Sequence, residues 1–508
     1  EPLFRFQWHY DLIDAPTAWQ LAPEGGEGTV VAVLDTGLFF DTSTSDWHPD
    51  LAGNILNPLP PGSDFIDDDN LPADVANSVA SSVFHGTHVA GTVLASASNG
   101  EGGTGVAFNA SLLPVRVLGE GGTGSASGLI EALKWIYGDN ESDPPKASIV
   151  NLSLGGLPKA PELQEAIQEA INDLDAKNVI LVAAAGNQSA STPTFPATAD
   201  KVFAVSAVDG AGNLASYSNF GPWVDLAAPG GDGRRDANLD GRPDLIVSAS
   251  ASFIDGRFRP VYTGLQGTSM AAPHVAGVFA LMKTINPDLS FDVLNGFLEN
   301  GDLTADADGS RTDALGYGVI DASKAVSLAL SNPLVTVLSA SPSLVNLSSE
   351  SNSVQQVLLQ ESGSSGVEVN PDFDSIVSPN WLQVEARENP LSLTLTLIEE
   401  NLEPGVAVRT TLKLDYTSDQ PRTLEIPVFA QVVADELARN AGRHFILLVN
   451  EETFETEAQI EATVNPGSGQ YEFSFQLDDG EGIQQLNEVR PGRYFLVAGT
   501  DLDNDSQI

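Results

Sequence analysis

The chain has 508 residues, enough for roughly two to four domains that each bury a hydrophobic core. Lys and Arg number 23 against 69 Asp and Glu, and the formal net charge of −46 argues against nucleic acid, whose phosphates such a surface repels. No run of about 18 apolar residues predicts a membrane span, and the absence of cysteine excludes disulfides, which makes bound metal the natural stabiliser.

The sequence begins at Glu1 rather than Met and shows no apolar signal segment, so we expect a processed, mature N-terminus. The acidic surface fits either ordinary solubility together with calcium tolerance, or adaptation to salty water. Charge alone does not choose between these two explanations.

Between residues 1 and 332, short apolar runs alternate with helical stretches. Strands are predicted at 29–35, 111–118, 147–154, 179–184 and 202–208, and helices at 127–137, 161–174, 269–284 and 322–330. This alternation predicts an α/β domain whose parallel sheet is covered by helices on both faces.

After residue 332 the composition changes to Ser, Val, Leu and Thr in short alternating runs. Runs at 391–397, 409–416 and 423–428, separated by turn clusters, predict an immunoglobulin-like β-sandwich over 333–434. Residues 435–441 could form a short helix or a linker. Runs at 445–449, 459–464, 471–476 and 494–498 predict a second small all-β module over 435–508. Because the sequence stops within an acidic run, we expect this module to be truncated.

Three chemically informative residues stand where predicted strands and helices meet. Asp35 ends the first apolar strand, His85 opens the run HGTHVAGT, and Ser269 opens the helix in GTSMAAPHVAG. Serine is a weak nucleophile unless a base and an oriented carboxylate activate it. In a parallel α/β sheet, strand ends and helix starts lie along one edge, so the fold can bring the three together.

Five blocks in chain order resemble the subtilisin-like serine peptidases. They are VAVLDTG at 31–37, HGTHVAGT at 85–92, NLSLGG at 151–156, AAAGN at 183–187 and GTSMAAPHVAG at 267–277. The order Asp, His, Ser also matches that family, and the resemblance covers residues 1 to about 330. It implies a subtilisin-like fold and a secreted, extracellular endopeptidase that cleaves proteins or peptides as a monomer. It further implies a zymogen, whose secretory signal and inhibitory propeptide are removed before the mature chain acts.

The resemblance implies a catalytic set of Asp35, His85, Ser269 and Asn187. Ser269 would attack the scissile carbonyl, His85 would carry the proton to the leaving amine, and Asp35 would orient His85. The side-chain amide of Asn187 would join the Ser269 N–H in an oxyanion hole. Taken alone, Ser269 could be a helix N-cap and Asn187 a turn residue.

His88 is the alternative base, because it lies one helical turn after His85. The resemblance assigns the base to the first His of HGTH, which leaves His88 as a packed, hydrogen-bonded helix residue. A zinc site at His85 and His88 is a poor interpretation, since no HExxH pattern accompanies them. His274, inside the Ser269 helix, is predicted to be structural.

The resemblance also implies that the substrate lies as an extended strand between two exposed edges. The residues implied at these edges and at the pocket are Gly122, Gly124, Ser153, Leu154, Gly155 and Gly186. Glycine suits such an edge, because a bulky side chain would block the substrate backbone. Segment 187–196 lies near the expected specificity pocket and is shorter than in subtilisin. It includes Phe195-Pro196, a candidate cis peptide bond.

Structural Ca²⁺ is the cofactor that the sequence predicts, at three places. The candidate ligands are Asp64, Asp67 and Asp69 in one loop, Gln7, Asp50 and Asn99 at a second site, and Asp236, Asn238 and Asp240 at a third. Clustered carboxylate oxygens suit Ca²⁺, and the first loop resembles a calcium loop of thermitase-like relatives; the alternative is a solvated acidic loop. The second site follows from the resemblance alone.

The third candidate calcium loop matches only part of an EF-hand. Asp236, Asn238 and Asp240 occupy its first, third and fifth positions, Gly241 occupies the sixth and Asp244 the ninth. The twelfth position is Val247 rather than the bidentate Glu. A partial calcium loop is therefore expected, not a complete EF-hand.

Two functions from different classes fit the sequence. One is a secreted, calcium-stabilised serine endopeptidase, and the other is a binding or adhesion protein with an inactive peptidase fold. The complete set of Asp35, His85, Ser269 and Asn187 favours the endopeptidase. No feature of the predicted β modules resembles a defined ligand site, so their role stays open.

Overall fold

The structure is a computed structural model, and it describes residues 1–74, 84–138, 146–156, 160–305, 311–331, 337–342, 345–349, 352–362, 369–402, 407–418, 421–432, 443–450, 456–465, 470–472, 477–478, 483–484 and 494–501. The predicted helix or linker at 435–441 lies outside these residues. The chain forms two compact units. The larger contains residues 1–341, 360–374 and 414–425, and the smaller contains 342–359, 375–413 and 426–508. The predicted domain boundaries after 332 and 434 stay predictions.

Up to residue 331 the chain alternates helices and strands. The helices are α1 (Trp8–Leu12), α2 (Ala15–Leu21), α3 (Pro49–Ala52), α4 (His85–Leu94), α5 (Ala126–Tyr137), α6 (Pro161–Ala176), α7 (Thr268–Ile285), α8 (Phe291–Glu299) and α9 (Ala322–Ser331). The strands are β1 (Val30–Asp35), β2 (Phe40–Asp41), β3 (Asp46–Trp47), β4 (Ser111–Arg116), β5 (Ile149–Leu152), β6 (Ile180–Ala184), β7 (Val202–Val208), β8 (Leu226–Pro229), β9 (Ile246–Ile254) and β10 (Arg257–Leu265).

Six parallel strands form the central sheet, in the order β4-β1-β5-β6-β7-β8. Their residues are almost all buried, which explains the continuous apolar runs of the sequence. The five predicted strands and the α/β class are confirmed. From β1 the chain crosses to β4 on one side, and from β5 it crosses to β6 on the other. The carboxyl ends of β1 and β5 therefore adjoin a switch point, where α/β sheets bind their ligands.

Helix α7 lies across the middle of the sheet, against β5, β6 and β7, and also contacts α4 and α9. Small residues permit this close packing, since a Cβ on Gly277 would lie only 2.5 Å from the Cβ of Val106. The rings of Phe279 and Phe203 pack with centroids 5.0 Å apart in the core. Helices α5 and α6 pack against each other as a second layer. Helices thus cover both faces of the sheet, as predicted.

An antiparallel hairpin of β9 and β10 was not predicted from the sequence. Its register runs from Ile246 opposite Leu265 to Ile254 opposite Arg257. The turn Asp255-Gly256 has positive φ at both residues, +52° and +82°, as a tight hairpin requires. An Asp-Gly pair between alternating residues was the available signal, but small polar residues in β9 weaken the apolar alternation.

Additional β-sheets follow the α/β fold, as predicted. Their strands are β11 (Val337–Ser341), β12 (Val345–Ser348), β13 (Val354–Ser362), β14 (Asn370–Asp372), β15 (Leu382–Glu388), β16 (Leu391–Leu397), β17 (Ala407–Thr417), β18 (Pro421–Gln431), β19 (Arg443–Asn450), β20 (Thr456–Asn465), β21 (Gln470–Glu472), β22 (Leu477–Asp478), β23 (Ile483–Gln484) and β24 (Tyr494–Asp501). Strand β16 lies antiparallel to β13 and β15, and β19 lies antiparallel to β20 and β24. Among the helices that the structure describes, none has both the length and the apolar character needed to cross a bilayer.

Candidate active site

Asp35 and His85 are joined by a hydrogen bond at the carboxyl edge of the sheet. Asp35 is the last residue of β1 and has no exposed surface. The Nδ1 of His85 lies 2.8 Å and 2.9 Å from the two carboxylate oxygens of Asp35. Because a carboxylate only accepts, Nδ1 carries the proton and Nε2 is left free to act as a base. A second donor, the N–H of Thr36, holds Asp35 Oδ1 at 2.7 Å.

The start of α4 aims His85 at Asp35. The preceding residue, Phe84, has a left-handed backbone with φ of +46°, which turns the chain into the helix. Gly86 follows because the helix passes very close to the segment after β1. A Cβ at this position would lie 2.4 Å from the carbonyl oxygen of Gly37. The motif HGTH therefore encodes a close packing contact as well as the imidazole.

The environment of His85 raises its pKa above the ordinary value of 6.5. Burial alone lowers the pKa, since it disfavours the charged imidazolium. The negative charge of Asp35 and its hydrogen bond outweigh burial, and the charge of Asp74 adds to them. The side chain of His85 keeps 22% of its surface exposed. The imidazole can thus exchange protons with a substrate while Asp35 stabilises its charged form.

Ser269 lies at the start of α7 and is half-buried between two buried neighbours. Its hydroxyl donates to the carbonyl oxygen of Ser153 at 3.3 Å, and the Ser153 hydroxyl donates to the carbonyl oxygen of Ser269 at 2.8 Å. This reciprocal pair ties the start of α7 to the end of β5. The proton of Ser269 is directed at Ser153, and a nucleophile–base hydrogen bond often tightens only when substrate binds.

Asn187 lies in the loop after β6 and is joined to the start of α7. Its side-chain oxygen accepts hydrogen bonds from the N–H and the hydroxyl of Thr268, at 2.8 Å and 2.9 Å. The amide nitrogen of Asn187 and the backbone nitrogen of Ser269 lie on the same side of Gly267. A Cβ built on Gly267 would be 3.6 Å from the first and 3.7 Å from the second. Two potential donors therefore border one small space beside Ser269.

The residues predicted to bind substrate follow the carboxyl ends of β4, β5 and β6. Gly122 and Gly124 come after β4, Ser153, Leu154 and Gly155 after β5, and Gly186 after β6. Since β1 lies between β4 and β5, the first two segments flank the strand that ends in Asp35. A Cβ on Gly155 would lie 3.0 Å from the side chain of Thr194, which bounds the space next to it.

The segment near the expected pocket is held by Asn219, a residue that sequence reasoning missed. Asn219 is 1% exposed. Its amide donates to the carbonyl oxygen of Ala185 at 3.0 Å and to the hydroxyl of Thr194 at 3.1 Å, and its oxygen accepts from the Gln188 N–H at 2.9 Å. The peptide bond before Pro196 is cis, as the resemblance implied. No local pattern marks Asn219, because Asn in a turn-rich stretch is usually exposed.

The remaining histidines near the site are packed inside the protein. His88 contacts the carbonyl oxygens of Ile246 and Thr263 through Nε2, and its burial lowers its pKa to about 3. His274 donates from Nδ1 to Met270 and receives a hydrogen bond of 2.7 Å from His9. Burial lowers the pKa of His274 to about 4. Both therefore stay neutral at neutral pH and serve packing.

The structure brings Gln7, Asp50 and Asn99 together, but protein donors occupy their oxygens. Asp50 accepts from the Asn99 amide at 2.6 Å and the Gly103 N–H at 3.3 Å, and the Tyr262 hydroxyl also bonds to it. The oxygen of Gln7 accepts from the backbone N–H of residue 104. Burial raises the pKa of Asp50, and these donors partly offset that rise. In the structure these hydrogen-bond donors satisfy the Asp50 carboxylate, and calcium binding by Gln7, Asp50 and Asn99 stays a prediction.

Two carboxylates of the predicted calcium loop at 64–69, those of Asp64 and Asp67, face a guanidinium. Arg116, the last residue of β4, forms ion pairs with Asp64 at 2.9 Å and with Asp67. The other oxygen of Asp64 accepts backbone N–H groups of the same loop, and Asp69 accepts the Leu71 N–H. Because Arg116 supplies the positive charge, this loop does not fit the predicted ion.

In the loop at 236–244 the acidic side chains fold around backbone N–H groups. The side chains of Asp236 and Asn238 accept hydrogen bonds from the backbone N–H of Asp240, and Asp236 also accepts from the backbone N–H of Gly241. Asp244 is 1% exposed, and its Oδ1 is buried with no hydrogen-bond partner in the structure. Across the described part of the chain, however, no three His, Cys, Asp or Glu side chains group so that they could hold a metal by themselves.

The comparison with known proteins decides the family. The model of the subtilase family matches residues 26–318, more than half of the chain. The chain belongs to the subtilase family. It is 37% identical over 356 residues to an extracellular protease of Xanthomonas campestris, covering 64% of this chain and 56% of that one. It is 35% identical to subtilisin Savinase of Lederbergia lenta, covering 63% of this chain and 97% of that one.

A solved structure supports the same fold. A protease from Pseudoalteromonas arctica is 36% identical, with a TM-score of 0.53, and the match covers 65% of this chain and 98% of that one. The subtilase spans little more than half the length of several curated relatives that it matches.

Proposed function

We propose that this subtilase is a serine endopeptidase that hydrolyses peptide bonds through an acyl-enzyme on Ser269. The observation that carries the proposal is the 2.8 Å contact of His85 with buried Asp35, at the sheet edge where Ser269 starts α7. A base with a free Nε2, an orienting carboxylate and a half-exposed hydroxyl are the three parts that serine catalysis requires.

In the proposed reaction, the Ser269 oxygen bonds to the scissile carbonyl carbon while His85 takes the hydroxyl proton. His85 then gives this proton to the amine as the C–N bond breaks, which leaves the acyl group on Ser269. Water then attacks the acyl carbon while His85 takes a proton from it. His85 returns this proton to the Ser269 oxygen as the acyl–oxygen bond breaks, which frees the acid and restores the Ser269 hydroxyl. Asp35 holds the imidazole orientation and stabilises its charge in both steps.

Asn187 and the backbone N–H of Ser269 would bind the oxyanion in this mechanism. Support comes from the hydrogen bond between Asn187 Oδ1 and Thr268, which turns the amide nitrogen away from Thr268 and leaves it free to donate. Fixed donors stabilise the tetrahedral intermediate without reorganising. An extended peptide between residues 122–124 and 153–155 would place its carbonyl there.

The competing function is a binding protein whose peptidase fold is inactive. The test is cleavage of an unfolded protein and of a quenched-fluorescence peptide library by the purified chain and by Ser269→Ala. The proposal predicts turnover that Ser269→Ala reduces by at least about a thousandfold. Equal cleavage by both proteins, or none by the unmodified chain, would contradict it.

We also propose an extracellular site of action and synthesis as a zymogen. Relatives that cover much of this chain are named extracellular proteases. Immunodetection of the protein in culture medium rather than in washed cells tests the location.

Addition of a separately made propeptide tests the zymogen, since it should inhibit the mature chain. We propose a monomer as well, which sedimentation equilibrium would check.

One structural Ca²⁺ is proposed for the loop at 236–244. The support is the buried, unpartnered Oδ1 of Asp244, whose Oδ2 accepts the N–H of Ala237 from the same loop at 2.9 Å. A Cβ on Gly210 would lie 2.6 Å from that Oδ1 and 3.0 Å from the Cβ of Asn238, so the carboxylate adjoins Asn238. The ion would need carboxylate, amide and backbone oxygens together, which is the ligand mixture that Ca²⁺ accepts.

A further inference from the structure

A second carboxylate, that of Asp74, lies near the pair of Asp35 and His85. Asp74 is 8% exposed, and its backbone is fixed to the segment that follows β1. The N–H of Asp74 donates to the carbonyl oxygen of Leu38 at 2.7 Å, and the Leu38 N–H donates to the carbonyl oxygen of Pro72 at 3.0 Å. Asp35 lies three residues before Leu38 in the chain. This short parallel pairing therefore fixes the backbone of Asp74 relative to that of Asp35.

The side chain of Thr36 connects Asp74 to the start of α4. Its hydroxyl donates to Asp74 Oδ2 at 2.7 Å and accepts from the Gly86 N–H at 3.0 Å. The Thr36 hydroxyl has one proton, and this proton is donated in the hydrogen bond to the Asp74 carboxylate. The lone pairs of Thr36 are therefore directed at Gly86, the residue after His85. The backbone N–H of Thr36 donates to Asp35 at the same time.

We propose that Asp74 is a positioning residue for the proposed peptidase reaction, acting through Thr36 to fix the start of α4 and so the orientation of His85 against Asp35. Its charge also faces the imidazolium that forms during catalysis. The expected effect of Asp74 on the reaction rate rests on the proposed function. The expected effect of Asp74 on His85 does not.

The electrostatic part agrees with the environment of His85. Burial lowers the pKa of His85, Asp35 raises it through charge and hydrogen bond, and Asp74 raises it further. His88, on the same helix, has a pKa lowered to about 3 by burial and is neutral where the peptidase would work. Asp35 and Asp74 are thus the charges that set the protonation of His85 among the groups described.

The test compares Asp74→Asn, Asp74→Ala and the exposed control Asp46→Asn. Asp74→Asn can still accept from Thr36 but lacks the charge, so the acid limb of kcat/KM should move to lower pH by on the order of half a unit. Asp74→Ala also removes the acceptor, so kcat should fall about 10- to 100-fold at nearly constant KM. Asp46→Asn makes the same charge change elsewhere and should leave both quantities unchanged.

NMR titration of the His85 imidazole in a Ser269→Ala background tests the inference without activity. Asp74→Asn should lower the pKa of His85 there, whether or not the chain hydrolyses peptides. A lower melting temperature of both Asp74 variants with an unmoved His85 titration and acid limb would overturn the inference. Normal titration shifts in a chain without peptidase activity would instead contradict the proposed function alone.

Discussion

The side-chain oxygen of Asn187 accepts the N–H of Thr268 at 2.8 Å, although 81 residues separate them. This bond fixes the amide, so its nitrogen can donate to a developing oxyanion beside Ser269. Asn187→Ala should therefore lower kcat about 100- to 1000-fold with KM nearly unchanged, the range of about 2.7–4 kcal/mol known for this donor in subtilisin. Steady-state kinetics on a peptide substrate measures it.

The matched control for Asn187 is Asn109→Ala. Asn109 is exposed, and its side chain donates a surface hydrogen bond to the carbonyl oxygen of Glu24. Its loss should change kcat by less than about twofold. An Asn187→Ala protein with unchanged kcat would remove Asn187 from the mechanism.

The raised pKa of His85 sets the pH dependence of activity. Because the pKa of His85 is raised above its ordinary value of 6.5, its base form predominates only at a pH above that raised pKa, so the midpoint of the acid limb of kcat/KM should lie above 6.5. An acid limb below pH 6 would contradict the contribution of Asp35. The measurement is kcat/KM across pH at constant ionic strength.

The same shift predicts a stability effect. A group whose pKa is raised by folding stabilises the native state fully at pH values below its pKa in the unfolded chain. This contribution is lost as the pH rises through its pKa in the folded chain. In a Ser269→Ala background, which prevents self-digestion, His85→Ala should therefore destabilise more at pH 6 than at pH 9. Urea unfolding at both pH values measures the difference, and a larger loss at pH 9 would refute the assignment.

Arg116 should stabilise the loop that resembles a calcium site. Its side chain is 9% exposed, and that of Asp64 is 1% exposed. Arg116→Ala leaves a buried carboxylate without its partner and should cost about 3 kcal/mol of unfolding free energy, with a chelator present throughout. Arg257→Ala is the control, since this residue is 46% exposed and 3.8 Å from its acid, and it should cost less than about 1 kcal/mol. Equal losses would show that the ion pair does not stabilise the loop.

Calcium should bind the loop at 236–244 if the orphan oxygen of Asp244 is a ligand. Isothermal titration of the Ser269→Ala protein should show one site that Asp240→Asn and Asp244→Asn each abolish and Asp46→Asn keeps. Calcium at about 100 times Kd should then stabilise the chain by about 2.7 kcal/mol. A chain that binds no calcium, or binds it equally in all variants, would contradict this site.

The sequence was sufficient to predict the sheet and its helices because both carry simple patterns. Strands such as β1 are continuous apolar runs, and α7 begins at a Gly-rich turn before small residues. The pairing of Asp35 with His85 also followed, since strand ends and helix starts share one edge. The prediction of the sheet and helices depends on local composition and chain order alone, whereas the pairing of Asp35 with His85 also depends on the resemblance to the subtilisin-like peptidases.

The partners of polar side chains could not be predicted in this way. The sequence predicts Asp64 and Asp67 as calcium ligands, but in the structure both face Arg116, which lies opposite Asp35 on the neighbouring strand. Tyr262, on β10, forms a hydrogen bond with Asp50, from which it is far removed in the sequence. A carboxylate cluster has the same sequence pattern whether a cation, an arginine or a hydroxyl satisfies it.

Labelling with a fluorophosphonate tests the central claim most directly. The reagent bonds to a serine oxygen only when a neighbouring base activates it, so its reaction reports the assembled site and not the fold. Mass spectrometry of the native chain should find one adduct, on Ser269, that is absent from Ser269→Ala and from heat-unfolded protein and strongly reduced in His85→Ala. A native, folded chain that stays unlabelled at Ser269 would contradict the account.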